Sequence, residues 1–329
     1  MTRSANPKCK MSKDCPEQVA DESAAVDAVK AAKYSVHGFT VASEIELPEL
    51  MAAPAEQVVD FKIVEADTHP SLPSDYGFER NRERFSIWWS LVGRFVIANS
   101  GDVTLARERD VPDSLARLPL VGCVMAIAAI MRGRFLLHAN AINVGGKGVL
   151  LMGAKGQGKS TLTAALLSRG HTLLSDDAAA LSIHAHGADV HRGCLQMKLW
   201  PDSIDHSWEG HSAEEHRPIH IHCNKRIVDA MSYASISDRL PLSMIYLLSE
   251  GLIMETRRCP AGESWPLIVS QSYAALFGEN FFDPVSKADH FMKCTRLAQS
   301  VGVTRLQRPK RFEEIGAVVS LIESEVARS

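Results

Sequence analysis

The sequence predicts an α/β fold preceded by a small β-rich module, and three observations lead there. Residues 148–177 read in succession as strand, glycine-rich loop, helix and strand. Short alternating apolar segments recur between Tyr34 and about Asp110. Between these two regions lies SLARLPLVGCVMAIAAIMRG, from Ser114, apolar on nearly every face and long enough for a buried helix.

Along the chain, residues 1–33 are polar, and Glu17–Lys33 is rich in Ala, Glu, Asp and Lys, which suits a weak surface helix or a mobile tail. The β-rich module occupies 34–113. Its opening, YSVHGFTVASEIEL, alternates apolar and polar residues, is broken by Gly38 and stops at Pro48, as a strand pair or a bent strand does. Val58–Val64, Phe85–Leu91 and Arg94–Ala98 carry the same signal, and Trp88-Trp89 should place one ring in the core and one on the surface. The larger domain occupies 114–329. After its apolar helix, FLLHANAINV and GVLLMG read as two strands joined at Gly145-Gly146. STLTAALLSRG reads as a helix ended by Gly170, and HTLLSDD as a strand finishing in carboxylates. Leu181–Ile183, Met197–Leu199 and Leu242–Leu248 look like further strands. Ser203–Asn224 looks like a long polar loop, and Ser286–Ser300 and Phe312–Ala327 like amphipathic helices.

Composition narrows the function classes. With 46% hydrophobic and 23% charged residues, the chain can bury a real core. A net charge of −3, with both signs interspersed, lacks the basic footprint of a nucleic-acid binder, so no nucleic-acid partner is expected. The seven cysteines are scattered and form no C-x-x-C pair, which indicates neither a disulfide framework nor a zinc cage. The N-terminus has no apolar signal segment. The longest apolar run, Leu118–Met131, is interrupted by Pro119 and Gly122 and is shorter than the roughly 20 residues of a membrane span. A cytoplasmic address without a membrane partner is the expectation.

The segment Gly153-Ala154-Lys155-Gly156-Gln157-Gly158-Lys159-Ser160 matches G-x-x-x-x-G-K-[ST] in full and is followed by Thr161. Glycines there permit positive φ and let phosphate oxygens approach main-chain N–H groups. A helix starting near Lys159 directs free N–H groups and a positive dipole end at the anion. Lys159 is placed to reach the β- and γ-phosphates of ATP, and the Ser160 hydroxyl to ligate Mg²⁺. A GTPase would carry N-K-x-D, but Asn224-Lys225 is followed by Arg226-Ile227. No second glycine-rich transporter signature and no Arg-rich lid is visible. Instead Asp176-Asp177 follows closely. One such carboxylate can hold Mg²⁺, and the other can take the proton of an incoming hydroxyl. His138, on the strand before the loop, is taken alone an ordinary core histidine.

Together, His138, the loop Gly153–Ser160, Arg169-Gly170-His171 and Asp176-Asp177 resemble the core of the HPr kinase/phosphorylase family. MKLWPDSI from Met197 and GFTVASEIELPEL from Gly38 resemble its shorter kinase-like branch, which includes kinases that phosphorylate a serine of lasso-peptide and other ribosomal precursor peptides. The resemblance implies a P-loop kinase core like the HPr kinase C-terminal domain, using ATP and Mg²⁺. Asp176 would be the general base and Asp177 would support Mg²⁺. His138 would lie beside the γ-phosphate, with Lys159 on the transferring group. Lys198 and Arg226 become candidate charge clamps, and a homo-oligomer becomes an expectation. Two departures count against HPr as acceptor and against phosphorylase activity. Thr161 stands where HPr kinases carry Glu after the loop serine, and no metal-binding Glu appears around Gln196–Trp200.

His184, His186, His191, His206, His211, His216, His220 and His222 crowd one region beside Cys223. His220 and His222 would share a strand face, yet no fixed complementary pair is visible, and polar loops collect histidines. No metal site is expected there. The function expected is transfer of the γ-phosphoryl group of ATP to a serine of a peptide or small protein. The alternatives are a nucleotide-binding regulatory protein without transfer and a small-metabolite kinase.

Overall fold

The computed structural model describes residues 31–220, 223–278 and 281–329. Nearly all of the expected N-terminal tail, together with His222, lies outside them. What is described is a mixed α/β architecture.

An eight-stranded sheet comes first, built from β1 (Ala32–Val36), β2 (Phe39–Ser43), β3 (Met51–Ala52), β4 (Phe61–Glu65), β5 (Tyr76–Arg80), β6 (Arg84–Trp89), β7 (Gly93–Ala98) and β8 (Val103–Arg107), in the order β3-β1-β2-β4-β8-β7-β6-β5. The opening segment is a hairpin rather than one bent strand. His37 and Gly38 both take positive φ, at 56° and 77°, which is the two-residue turn whose twist matches the flanking strands. Trp88 is buried, and Trp89 is half-buried with its ring edge-on to Phe95, so neither indole is the surface residue anticipated for one of them.

A continuous helical segment follows: α1 (Asp113–Pro119), a π-helical turn over Leu120–Val124, and α2 (Met125–Met131). Pro119 lacks an N–H and crowds the preceding turn, and the ladder widens immediately after it. This helical stretch, Asp113–Met131, has 19 residues and, contrary to the expectation from the interrupted apolar run, is long and apolar enough to cross a membrane. Here it packs inside the protein: Ala116, Leu120, Val124, Met125 and Ile127 are buried against the eight-stranded sheet together with Tyr273, Phe277 and Phe281.

The second sheet holds β9 (Phe135–Leu137), β10 (Asn140–Val144) and β11 (Lys147–Met152), then, after α3 (Lys159–Ser168), β12 (Thr172–Ser175), β13 (Ala179–His184) and β14 (Gly187–His191). A small three-stranded sheet interrupts it, made of β15 (Gln196–Leu199), β16 (Pro218–His220) and β17 (Cys223–Asp229), with α4 (Pro201–Ser207) between the first two. The chain then returns through β18 (Arg239–Glu250), β19 (Glu255–Arg258), α5 (Ala261–Ser270), α6 (Pro284–Ser300), β20 (Thr304–Arg308) and α7 (Ile315–Arg328). The polar stretch expected as a loop over Ser203–Asn224 therefore contains most of α4, a 3₁₀ turn at Ala213–Glu215 and β16.

The order in the large sheet is β12-β10-β11-β18-β14-β13-β9, with β20 also on β18. Sequence neighbours β9 and β10 stand at opposite parts of that order, as do β12 and β13. Each pair is joined by only a few residues, a span of roughly 10 Å, so the sheet must bend back on itself where the two links run. Those links carry His138 and Asp176-Asp177. One face of the sheet packs on α5 and α6, and the other on α3 and α7.

Candidate active site

The loop forms where β11 ends. Gly158, the residue before α3, is left-handed at φ 82°, and a Cβ added there would lie 2.4 Å from Arg308 Nη2, so only glycine fits without displacing that guanidinium. Gly156, at φ 87°, faces open space and can approach a ligand closely. Lys159 Nζ donates 2.7 Å to the Gly153 carbonyl and closes the loop on itself. Burial holds this ammonium below the usual lysine range, opposed by the negative charges of Asp177 and Asp176.

Ala154, Lys155, Gly156, Gly158, Lys159, Ser160 and Thr161 line a cleft of about 580 Å³ together with His138, Asp176, Asp177 and Lys198. Gly153 and Gln157 are not on its wall: Gly153 backs onto Leu248, and the Gln157 carbonyl accepts from Arg308 Nη2 at 3.4 Å. Arg226 is also absent from the wall. Successive side chains on a strand point to opposite faces, and on β17 it is Lys225 that turns to the cleft. A second cavity, about 450 Å³ between α2 and α6, contains none of the loop residues.

Asp176 is 7% exposed, and among the described residues its Oδ1 has no partner. Burial, then the neighbouring charge of Asp177, raises its pKa to about 7, while Lys198, Lys225 and Lys159 pull the other way. The turn that presents it is held by its N–H on the Cys194 carbonyl at 2.9 Å. Asp177 takes φ 66°, unusual for a residue with a side chain, and its carboxylate is half exposed. Its N–H donates to Asn140 Oδ1 at 3.2 Å, and Asn140 Nδ2 donates to Thr163 Oγ1 at 3.0 Å. Asn140 thus fastens the aspartate turn to the helix that begins at the loop.

His138 lies not within a strand, as its apolar flanks suggested, but in the link between β9 and β10. Its N–H donates to the Gln271 carbonyl at 2.7 Å, and its Nδ1 sits 3.1 Å from the Asp177 carbonyl and 3.3 Å from the Asp177 carboxylate. Behind Asp177 are Cys123, from the π-helical turn, and Tyr273; burial, with Asp177 nearby, pushes that thiol up to about 12 and leaves it inert as a nucleophile. Arg169 and His171 stand away from the cleft, both holding Glu323 on α7 and so pinning the far end of the loop helix. The cleft therefore brings the glycine-rich loop and several cationic side chains together with the two aspartates, which suits it to an anion and a hydroxyl group.

Residues 130–195, which contain both links, the loop and the aspartates, match the HPr Serine kinase C-terminal domain. Over that stretch the chain is similar to an HPr-kinase-like family. It is 49% identical over 61 residues to the HPr kinase/phosphorylase of Bordetella pertussis, covering 18% of this chain and 20% of that one. Against the HPr kinase/phosphorylase of Pelodictyon phaeoclathratiforme it is 32% identical over 109 residues, or 32% and 31% of the two chains. The chain thus spans about a fifth to a third of the length of the curated relatives it matches. A solved Hpr(Ser) kinase/phosphatase from Coxiella burnetii aligns at 16% identity with a TM-score of 0.30, over 59% of this chain and 94% of that one.

Lys225, Arg308, Lys310 and Arg311 also line the cleft and were not anticipated. They come from β17 and from the segment around the end of β20, far from the loop in sequence, and no local pattern marks them.

Proposed function

We propose that this chain is an ATP- and Mg²⁺-dependent serine kinase with a P-loop core, acting in the cytoplasm on a serine of a peptide or small protein. The observation that carries the reading is the placement of Asp176: a buried carboxyl with a free oxygen and a pKa near 7, in the same cleft as Lys159 and the glycine-rich loop. A group titrating near the working pH is suited to accept a hydroxyl proton.

In this reading the N–H groups around Gly156 and Gly158, with Lys159, hold the β- and γ-phosphates. Lys198, Lys225 and Arg308 add positive charge around the transferring group. The Ser160 hydroxyl and the Asp177 carboxylate, both on the cleft wall, would hold the magnesium, whose charge neutralises phosphate oxygens when it is bound. His138 fixes Asp177 and borders the γ-phosphate position. Asp176 Oδ1 takes the serine proton as the phosphoryl group is transferred. A ribosomal precursor peptide is the first acceptor to try, since Thr161 here hydrogen-bonds Ser203 on α4 rather than presenting a glutamate.

The test is incubation with γ-labelled ATP and candidate peptides. Label on a serine, abolished in Asp176→Asn while nucleotide affinity stays within about threefold, is the expected result, because the carboxamide keeps the shape and loses the base. Normal turnover in Asp176→Asn removes the base assignment. Nucleotide occupancy without transfer to any acceptor favours a regulatory role instead.

A further inference from the structure

We propose that His211, Glu215 and His216 form a binding site for one zinc-type metal ion, outside the nucleotide cleft. Their donor atoms all lie within 4.8 Å of one another. The sequence pattern gave no reason to expect this, because the grouping depends on a turn whose geometry is built locally. Ser212 caps the 3₁₀ turn Ala213–Glu215: its side chain accepts from the Glu214 N–H, and the Glu215 carboxylate reaches back to the Ser212 N–H. His216 closes the turn with its N–H on the Ala213 carbonyl, and His211 precedes the cap. The two imidazole rings come to lie nearly parallel, 5.7 Å apart.

Capping explains Glu215 but not the histidines. His211 Nε2 is held by the Tyr233 hydroxyl at 2.9 Å and its ring packs on the buried Trp208, so its orientation is fixed before any ligand arrives. A phenol or carboxyl on one ring nitrogen is the outer contact that sets the tautomer of a metal-bound imidazole. His216 Nε2 is shielded from solvent and has no partner among the described residues. Two imidazoles and a carboxylate make a nitrogen–oxygen donor set of the kind that zinc accepts, with a position left for water. Donors on a tetrahedral zinc stand about 3.4 Å apart, so the three must close by about 1.4 Å at most, through rotation of the exposed Glu215 side chain and of the His216 ring together.

The turn is tied to α4 through the Ala213 N–H on Asp205 at 2.8 Å, and α4 touches the start of the loop helix through Ser203 and Thr161. A metal here would fix the segment that follows the cleft residues Lys198 and Trp200, a positioning role with no part in phosphoryl chemistry.

The full chain, stripped by chelator and titrated with Zn²⁺ against a chromophoric competitor, should take up one tight equivalent, and Co²⁺ in its place should give visible ligand-field bands. His216→Ala and Glu215→Gln should each weaken Zn²⁺ binding more than about tenfold and abolish the bands, and Tyr233→Phe should weaken it by about tenfold. His186→Ala, outside the cluster, should bind as the parent does. Glu215 is exposed, so Glu215→Gln stays folded even if a histidine variant does not. A parent chain that takes up no Zn²⁺, or a Glu215→Gln variant that binds it as tightly as the parent, overturns the assignment.

Discussion

Asp176 sits at a conflict between folding and chemistry, and pH exposes it. Its folded pKa of about 7 lies above the usual aspartate value, so between about pH 4 and 7 the folded chain holds a proton that the unfolded chain releases. The stability linked to this proton is complete at low pH and is lost as pH rises through 7, at up to about 1.4 kcal/mol per pH unit. Asp176→Asn does not titrate, so its urea midpoint relative to the parent should climb from pH 5 to pH 8. An unchanged difference would mean that the carboxyl is hydrated. The same proton must leave before the group can act as a base. In the free enzyme, kcat/KM should therefore rise through about pH 7 and level off above it; a profile flat from pH 5.5 to 8.5 would argue against base catalysis by this group. Lys159 and the aspartates are legible in the sequence because motif and spacing are local. Asn140, Lys225 and Arg308 are not, since the fold alone brings them to the cleft.

At the scale of elements, two short links do the positioning. Alternation along the strands and the apolar run of the core helix announce most elements, as does the glycine-ended helix after the loop. The break between β9 and β10 at His138-Ala139 is not announced, because FLLHANAINV keeps one apolar pattern through a bend that only the curled sheet requires. The turn at 211–216 escapes for another reason: polar residues hide a capping box of a single helical turn. Asn140 bridges one link to the other and to α3, with both its amide groups engaged and the side chain buried. Asn140→Ala leaves the Asp177 N–H and Thr163 without that partner, which should cost about 1–3 kcal/mol of stability. It should also lower kcat well beyond any change in nucleotide affinity, because the aspartate turn loosens while the loop stays intact. Gly158→Ala should act in the opposite sense. A left-handed backbone carrying a methyl group costs about 1–2 kcal/mol, and the methyl displaces Arg308 from the phosphate side, so nucleotide affinity itself should fall. Titration with a non-hydrolysable ATP analogue separates the two variants.

Across the whole molecule, the first hairpin buries His37, the leading residue of its turn, against the aspartate strand, and histidine chemistry is concentrated there. His37 is 1% exposed, takes φ 56°, and has both ring nitrogens without partners among the described residues. Its N–H donates to the Arg192 carbonyl at 2.7 Å. Gly193 leaves it room: a Cβ there would come within 2.7 Å of the ring and 2.2 Å of Ser175 Oγ, one residue before Asp176. Burial first, then His191 and Arg134, lowers the His37 pKa to about 3; burial, Arg134 and Arg239 bring that of His191 to about 4, against the weaker pull of Asp189 and Asp238. Here the folded state binds fewer protons than the unfolded one between about pH 6.5 and 3. The linked stability is therefore complete above the ordinary histidine pKa and is lost as pH falls through that window, by up to about 1.4 kcal/mol per unit for each ring. Acid should thus loosen the seat of the aspartate turn before it titrates most carboxylates. His37→Asn tests this, because asparagine tolerates the left-handed backbone and carries no titrating ring. Between pH 7 and 4.5 the parent should lose urea resistance more steeply than His37→Asn, in which His191 and His290 still act and Asp176 still opposes them, as in the parent. Identical slopes in parent and variant would show that the His37 ring reaches water, and the packing of the hairpin turn against Ser175 would then have to be looser than the structure describes.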